Sequence, residues 1–246
     1  IRFSSIQADL KEYYGENDDS TTLQNPEKKS YEELIGSLRV SKQINDDFFA
    51  FGGISQGFRP PSLYDLTSTD ETSAIERPNT KLEPEKFHQA EIGLRSFAGP
   101  LRFTTSFYHT WIKDMIVRSP VESGQSNTLK SNGDGYLQGI ELEVAYDWTP
   151  SWNSTLSFSW MDGEVEQLLD NNSSGTVAIQ GRNYTPVDRA ATRLMPVQTQ
   201  LITRYRPDGS PWMGELSILA VGEADKLSLK DETDKSRIPV NGTPDY

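Results

Sequence analysis

The feature that most constrains this chain is a regular alternation of tight turns and long polar segments, joined by stretches of alternating apolar and polar residues. Four short turns stand out: Asn45-Asp46-Asp47 before Phe48-Phe49, Ala98-Gly99-Pro100 between Phe97 and Leu101, Thr149-Pro150-Ser151 between Trp148 and Trp152, and Pro207-Asp208-Gly209-Ser210-Pro211 between Tyr205 and Trp212. Gly, Pro, Asn and Asp supply turn geometry, so these read as hairpin connections. Between them lie the polar segments 15–30, 59–86, 118–135, 165–189 and 222 onward.

The joining stretches read as about nine strands on the period-two criterion. Ile140, Leu142, Val144, Tyr146 and Trp148 share one face against Glu141, Glu143 and Asp147. Leu156, Phe158 and Trp160 oppose Ser157 and Ser159; Leu101, Phe103 and Phe107 oppose Arg102, Thr104 and Ser106. Leu34, Leu38 and Val40 oppose Ser37, Arg39 and Ser41, and Leu216 and Ile218 oppose Glu215 and Ser217. Several stretches exceed the usual five or six residues of a globular strand. Long loops at one end, tight turns at the other and aromatics beside the turns predict an all-β fold, an incomplete antiparallel transmembrane β-barrel with short periplasmic turns and long extracellular loops. The competing reading is a soluble antiparallel sheet with one wet face.

Composition fits the barrel. Mean hydropathy is −0.62, and no run approaches the ~18 apolar residues of a membrane helix. Only alternate residues of a barrel strand face lipid, so low average hydropathy is compatible with spanning. With 36 acidic against 24 basic residues and a net charge of −12, the chain suits neither nucleic acid nor a polybasic membrane contact. The absence of cysteine excludes disulfide frameworks, thiolate metal sites and cysteine nucleophiles. Neither end has the pattern of a natural terminus, which suggests an internal piece of a longer chain.

No catalytic constellation emerges, and no metal or cofactor site is expected. Gly53-Ile54-Ser55-Gln56-Gly57 matches a nucleophile elbow, but Arg59-Pro60-Pro61 follows where that motif needs a helix. His88 and His109 have no nearby ligand partners and read as strand residues. Asp18-Asp19 and Asp231, Glu232 and Asp234 read as solvated loop charge, since no EF-hand spacing accompanies them. Five Asn-x-Ser/Thr triplets, from Asn153, Asn171, Asn172, Asn183 and Asn241, arise readily in an Asn- and Thr-rich β protein. Asn132-Gly133-Asp134-Gly135 is expected to turn the chain back into a strand at Tyr136.

A series of motifs then resembles one family. Gly57-Phe58-Arg59-Pro60-Pro61-Ser62-Leu63, with Leu66, resembles the signature at the top of a strand in TonB-dependent receptor barrels. Pro78-Asn79-Thr80-Lys81-Leu82-Glu83-Pro84-Glu85-Lys86 follows, leading into Glu91-Ile92-Gly93-Leu94. Phe107-Tyr108 with Ile112-Lys113-Asp114-Met115-Ile116 resembles the next strand, and Asn132 with Gly139-Ile140-Glu141-Leu142-Glu143 the one after. Pro60 departs from the family, which usually has alanine there.

The resemblance implies a partial barrel domain across residues 1–246, without the plug domain or the last strands, in the outer membrane of a Gram-negative-type bacterium. It implies active uptake of a scarce nutrient, by default a ferric siderophore or other iron chelate, driven by the TonB complex through the missing plug. Haem is disfavoured because no histidine lies between Arg59 and Lys86. Inward Glu141 and Glu143 suit a lumen holding a plug, and Arg95 and Arg102 are expected to pair with them or with the plug. Tyr64, Arg77, Arg118 and Tyr184 are the candidate ligand contacts, having side chains suited to an anionic or aromatic chelate. The rivals are a passive porin and a soluble β-sheet binding protein.

Overall fold

The structure, a computed structural model, describes residues 1–10, 13–14, 23–24, 27–67, 76–77, 79–120, 128–170, 175–179, 182–233, 239 and 242–246. Asp18, Asp19, Pro78, Asp234 and the triplet positions Asn171, Asn172 and Asn241 lie outside the described residues.

Each of the four turns is where the sequence puts it. They connect Ser37–Gln43 to Phe48–Arg59, Glu85–Ala98 to Leu101–Pro120, Thr128–Thr149 to Trp152–Asp170, and Gln198–Tyr205 to Gly214–Val221. The Asn45 side-chain oxygen accepts from the amides of Asp47 and Phe48, both at 3.0 Å. Gly99 and Gly209 take φ of 55° and 69°, a conformation open to glycine without strain. These hairpins join into one antiparallel sheet that curls into an open half-barrel. Arg2–Leu10 pairs with Glu27–Ile35 in a separate two-stranded sheet, the strand being interrupted at Gly36.

Register separates two faces. Ser41, Phe51, Gly93, Ser106, Glu141, Ser159 and Gln198 form one row across seven strands. The next row is Gln43, Phe49, Arg95, Thr104, Glu143, Ser157 and Gln200. This polar face is concave, with an open groove lined by Thr104, Ser106, Glu141, Glu143, Ser157 and Gln200. The opposite face carries the row Val40, Gly52, Ile92, Phe107, Ile140 and Trp160. Ile92 is 66% exposed and Val40 63%. Covering such a side chain is worth about 1.5–3 kcal/mol, so a continuous apolar outer band is stable only against lipid.

Aromatics mark both margins of that band. Beside the turns, Phe48 meets Phe103 edge-on at 6.1 Å and Trp148 stacks on Trp152 at 5.5 Å. The indole N–H groups of Trp148 and Trp152 donate to Ser154 and Thr203 hydroxyls. At the other margin His109 contacts Trp111 at 4.6 Å and stacks on Tyr136 at 5.6 Å. From Tyr136 to Trp148 the strand advances twelve residues, which at ~3.3 Å each and a ~40° tilt gives a height of ~30 Å. That is the thickness of a bilayer's hydrocarbon core, ~30 Å.

The family glycines explain themselves on the inner wall. Gly57 faces Phe87, Gly93 faces Phe51 and Gly139 faces Tyr108, each directly across the ladder. A Cβ on Gly139 would lie 2.5 Å from the Tyr108 hydroxyl and 2.7 Å from the Trp160 carbonyl; one on Gly93 would enter the Phe51 ring. Each aromatic side chain occupies the space beside the glycine opposite that a Cβ would need.

Three expectations are corrected. Segments 118–135 and 165–189 are largely strand rather than loop: the ladders continue to Pro120, from Thr128, to Asp170 and through Arg182–Ala190. A 22-residue strand is ~70 Å long, more than twice the membrane height. Beyond the bilayer both faces are wet or packed by loops, so period two disappears although every peptide group still needs a partner. Asn132-Gly133-Asp134-Gly135 therefore lies inside a strand, at a bulge opposite Asp114. There the glycines let the Glu164 and Glu166 carbonyls approach where a Cβ would collide. Finally, the polar segments contain two short helices, Leu63–Thr67 and Leu229–Thr233.

Candidate functional site

The family motifs converge where the strands leave the membrane band. Arg59 and Glu85 face each other across the ladder, and the guanidinium grips both carboxylate oxygens at 2.5 Å. Its third nitrogen donates to Asp65 at 3.1 Å. Glu85, almost fully buried, also accepts the Ile116 amide at 2.9 Å. One carboxylate thus ties three strands together. Bidentate Arg–carboxylate geometry supplies both strength and direction.

Pro60 and Pro61 end the strand because proline donates nothing to the ladder, and a helical turn begins at once. The Ser62 hydroxyl accepts the Asp65 amide at 3.1 Å, while Asp65 accepts the Ser62 amide and hydroxyl at 3.0 and 2.8 Å. This is a capping box. Burial pushes the Asp65 carboxyl up, but the Ser62 hydrogen bonds and the charges of Arg59 and Lys130 outweigh it and hold the group below the usual carboxylate range.

Lys130, only 2% exposed, anchors this turn to the long 128–149 strand. Its ammonium donates to the Tyr64 carbonyl at 2.9 Å, lies 3.9 Å from Asp65 and sits 4.1 Å from the Tyr64 ring centroid. Asn79 donates to the Lys130 carbonyl at 2.8 Å and accepts the Lys81 amide. Asn132 exchanges two hydrogen bonds with the Glu83 backbone and donates to the Asp114 carbonyl at 2.7 Å. Asp114, held at φ 57°, is re-aimed by the bulge, and its amide donates to Asp134. Leu82 and Leu66 bury with Leu10 beneath this network, and Pro84 is buried beside them in the chain.

The four ligand candidates are not gathered into one pocket. Tyr64 and Arg118 come together, the guanidinium carbon lying 5.9 Å from the ring centroid, and Tyr64 is about half exposed. Tyr184 is buried with Leu129 and Leu168 and packs as a core residue. The Arg77 backbone pairs beside Leu129, and its side chain lies outside the described residues. Arg102, opposite Ala145, pairs bidentately with its diagonal neighbour Asp147, at 2.6 and 3.1 Å, rather than with Glu141 or Glu143. Arg95 covers the Phe51 ring at 5.6 Å. Asp65 and Lys130 were not anticipated; for Asp65 the Ser62-x-x-Asp65 spacing is a signal of its cap.

The chain is similar to known proteins. Residues 1–229 match the family model described as TonB dependent receptor-like, beta-barrel. The pesticin receptor of Yersinia pestis is 27% identical over 158 residues, covering 62% of this chain and 21% of that protein. Among solved structures, the copper transporter OprC superposes with a TM-score of 0.65 at 21% identity, over 83% of this chain and 29% of its own. The ferric yersiniabactin uptake receptor FyuA from Yersinia pestis gives a TM-score of 0.54 at 16% identity, over 80% of this chain and 27% of its own. The chain therefore spans about a fifth of the curated relative. The family comprises receptors and transporters, not enzymes. With an apolar outer band of bilayer height, a polar concave wall and a family match along most of its length, the chain belongs to the TonB-dependent receptors, as part of the β-barrel they place in the Gram-negative outer membrane.

Proposed function

We propose that the full-length protein takes up a scarce nutrient, a ferric siderophore or other iron chelate, with energy from the TonB complex acting through an N-terminal plug. The family match over residues 1–229 carries this reading. The polar inner wall bearing Glu141 and Glu143 suits a lumen occupied by a plug. At the loop end, the half-exposed Tyr64 ring with Arg118 beside it suits an anionic, aromatic-rich chelate. Arg77 completes the proposed contact set; Tyr184, a strand residue packed with Leu129 and Leu168, supports the wall rather than touching the ligand.

The test is growth of a strain lacking the full-length gene on limiting iron, supplied with ferric siderophores of several chemical classes, haem or copper. Loss of growth on one ferric siderophore, matched by loss of the TonB complex, is the expected result. Unimpaired use of every iron source, or rescue independent of TonB, overturns the reading. In binding assays Tyr64→Ala and Arg118→Ala each weaken the chelate roughly tenfold, the scale of one contact to a charged group.

A further inference from the structure

On the outer surface, one step beyond the His109–Trp111–Tyr136 girdle, two lysines stand directly opposite each other across the ladder. Lys86 pairs in register with Lys113, as His88 pairs with Trp111 below them. Alternation along both strands puts Lys86 and Lys113 on the same face as Ile92, Phe107 and Trp111, which is the lipid face. Like charges directly opposite repel, so this pairing is unfavourable unless an anion joins it. Glu33 meets one of them, its carboxylate 2.6 Å from the Lys86 ammonium. Lys113 is exposed and forms no ion pair among the described residues.

We propose that Lys113, with Lys86 beside it, is a contact for the phosphate of an anionic lipid in the outer leaflet. Depth supports this. Two residues beyond Trp111 is ~7 Å along the strand, and the headgroup zone extends ~5–8 Å beyond the hydrocarbon. A lysine stem lies along the apolar girdle while its ammonium reaches the headgroups. Asp114 interacts with Lys113 and Lys86 as well as with Asp134 and Glu83, so an anion is met by the lysines on their Trp111 side, away from these carboxylates. Trp111, 54% exposed, offers the adjoining surface on which acyl chains rest.

The test uses the full-length receptor, delipidated in detergent and presented with diphosphorylated lipid A or its dephosphorylated counterpart, with bound lipid counted by native mass spectrometry. The wild type is expected to retain the phosphorylated lipid preferentially. Lys113→Gln should retain it about fivefold more weakly, the scale of one cation at an anionic membrane surface. Lys113→Arg should bind like the wild type. Lys42→Gln, on the same face but near the turns, should change nothing. Equal retention by Lys113→Gln, or of both lipids, overturns the proposal. Displacement of the lipid by millimolar inorganic phosphate also overturns it, since the site would then be one for free anions.

Discussion

Replacing Glu85 with alanine should open the loop end of this barrel without disturbing its membrane band. Glu85 accepts two charge-assisted bonds from Arg59 and one from the Ile116 amide. Its own side chain is 5% exposed, whereas that of Arg59 is 47% exposed. Losing its carboxylate leaves the Ile116 N–H without its acceptor, which costs about 1–3 kcal/mol. The ion pair is half in water, so its contribution lies near the ~1 kcal/mol of a surface pair rather than the ~3–5 of a fully buried one. Together these give a local destabilisation of about 2–4 kcal/mol. Each ~1.4 kcal/mol is a factor of ten, so opening of this region should become roughly a hundredfold more frequent. Hydrogen exchange on the full-length receptor reads this directly: peptides covering 59–67 and 113–118 should exchange faster, while a peptide covering 101–108 should not. Glu85→Gln, which keeps an acceptor for Ile116 but not the charge, should fall between. Exchange at 113–118 within a few-fold of wild type would refute the idea that Glu85 holds these strands together.

Three further outcomes follow from the same geometry. Ile92→Arg, on the lipid face, should destabilise the fold by about 2–4 kcal/mol, seen as a smaller heat-modifiable folded fraction, while Ser106→Arg on the inner wall should be tolerated; the reverse ranking would mean the faces are assigned backwards. Gly139→Val should destabilise by about 1–3 kcal/mol because the Trp160 carbonyl cannot move aside. Gly214→Val, where nothing lies within 4 Å, is the matched control in denaturant titrations and should stay near wild type. Asp65 has a folded pKa below its unfolded value, so its contribution is complete above the ordinary carboxylate range and is lost only as pH falls through the lowered folded value. Exchange protection at 62–67 should therefore be flat from pH 8 to 5 and fail below about pH 4; Asp65→Asn should remove that dependence.

Legibility followed the physics of each segment. Where one face meets lipid and the other a polar lumen, period two is enforced, and the alternation from Ile140 to Trp148 is enough to place that strand. Each turn required Gly, Pro or Asn at fixed places and so was visible. Above the membrane the same strands continue with no contrast between faces, and there Lys130, Ser131 and Asn132 read as loop although they lie in a 22-residue strand. The Arg59–Glu85 pair was out of reach for another reason. The two residues are 26 positions apart, and nothing local in the sequence links them; only the register of two strands does. Tyr184 shows the limit from the other side, since an aromatic in a polar stretch has the same local appearance whether it packs in a core or meets a ligand.

The residues that make the family recognisable are largely those that hold the barrel's upper end in shape. Arg59, Asn79, Glu85 and Asn132 spend their polar groups on each other and on backbone, Pro61 ends a strand and Leu82 is buried, while Gly57, Gly93 and Gly139 make room for rings opposite them. A side chain whose donors and acceptors are already engaged has little left for a cargo. Under the proposed function, recognition falls to neighbours outside this network, of which the half-exposed Tyr64 ring is the example. The same ring seats the Lys130 ammonium, so the site and the network beneath it meet at this residue. That is why motif order identifies the family without naming a cargo.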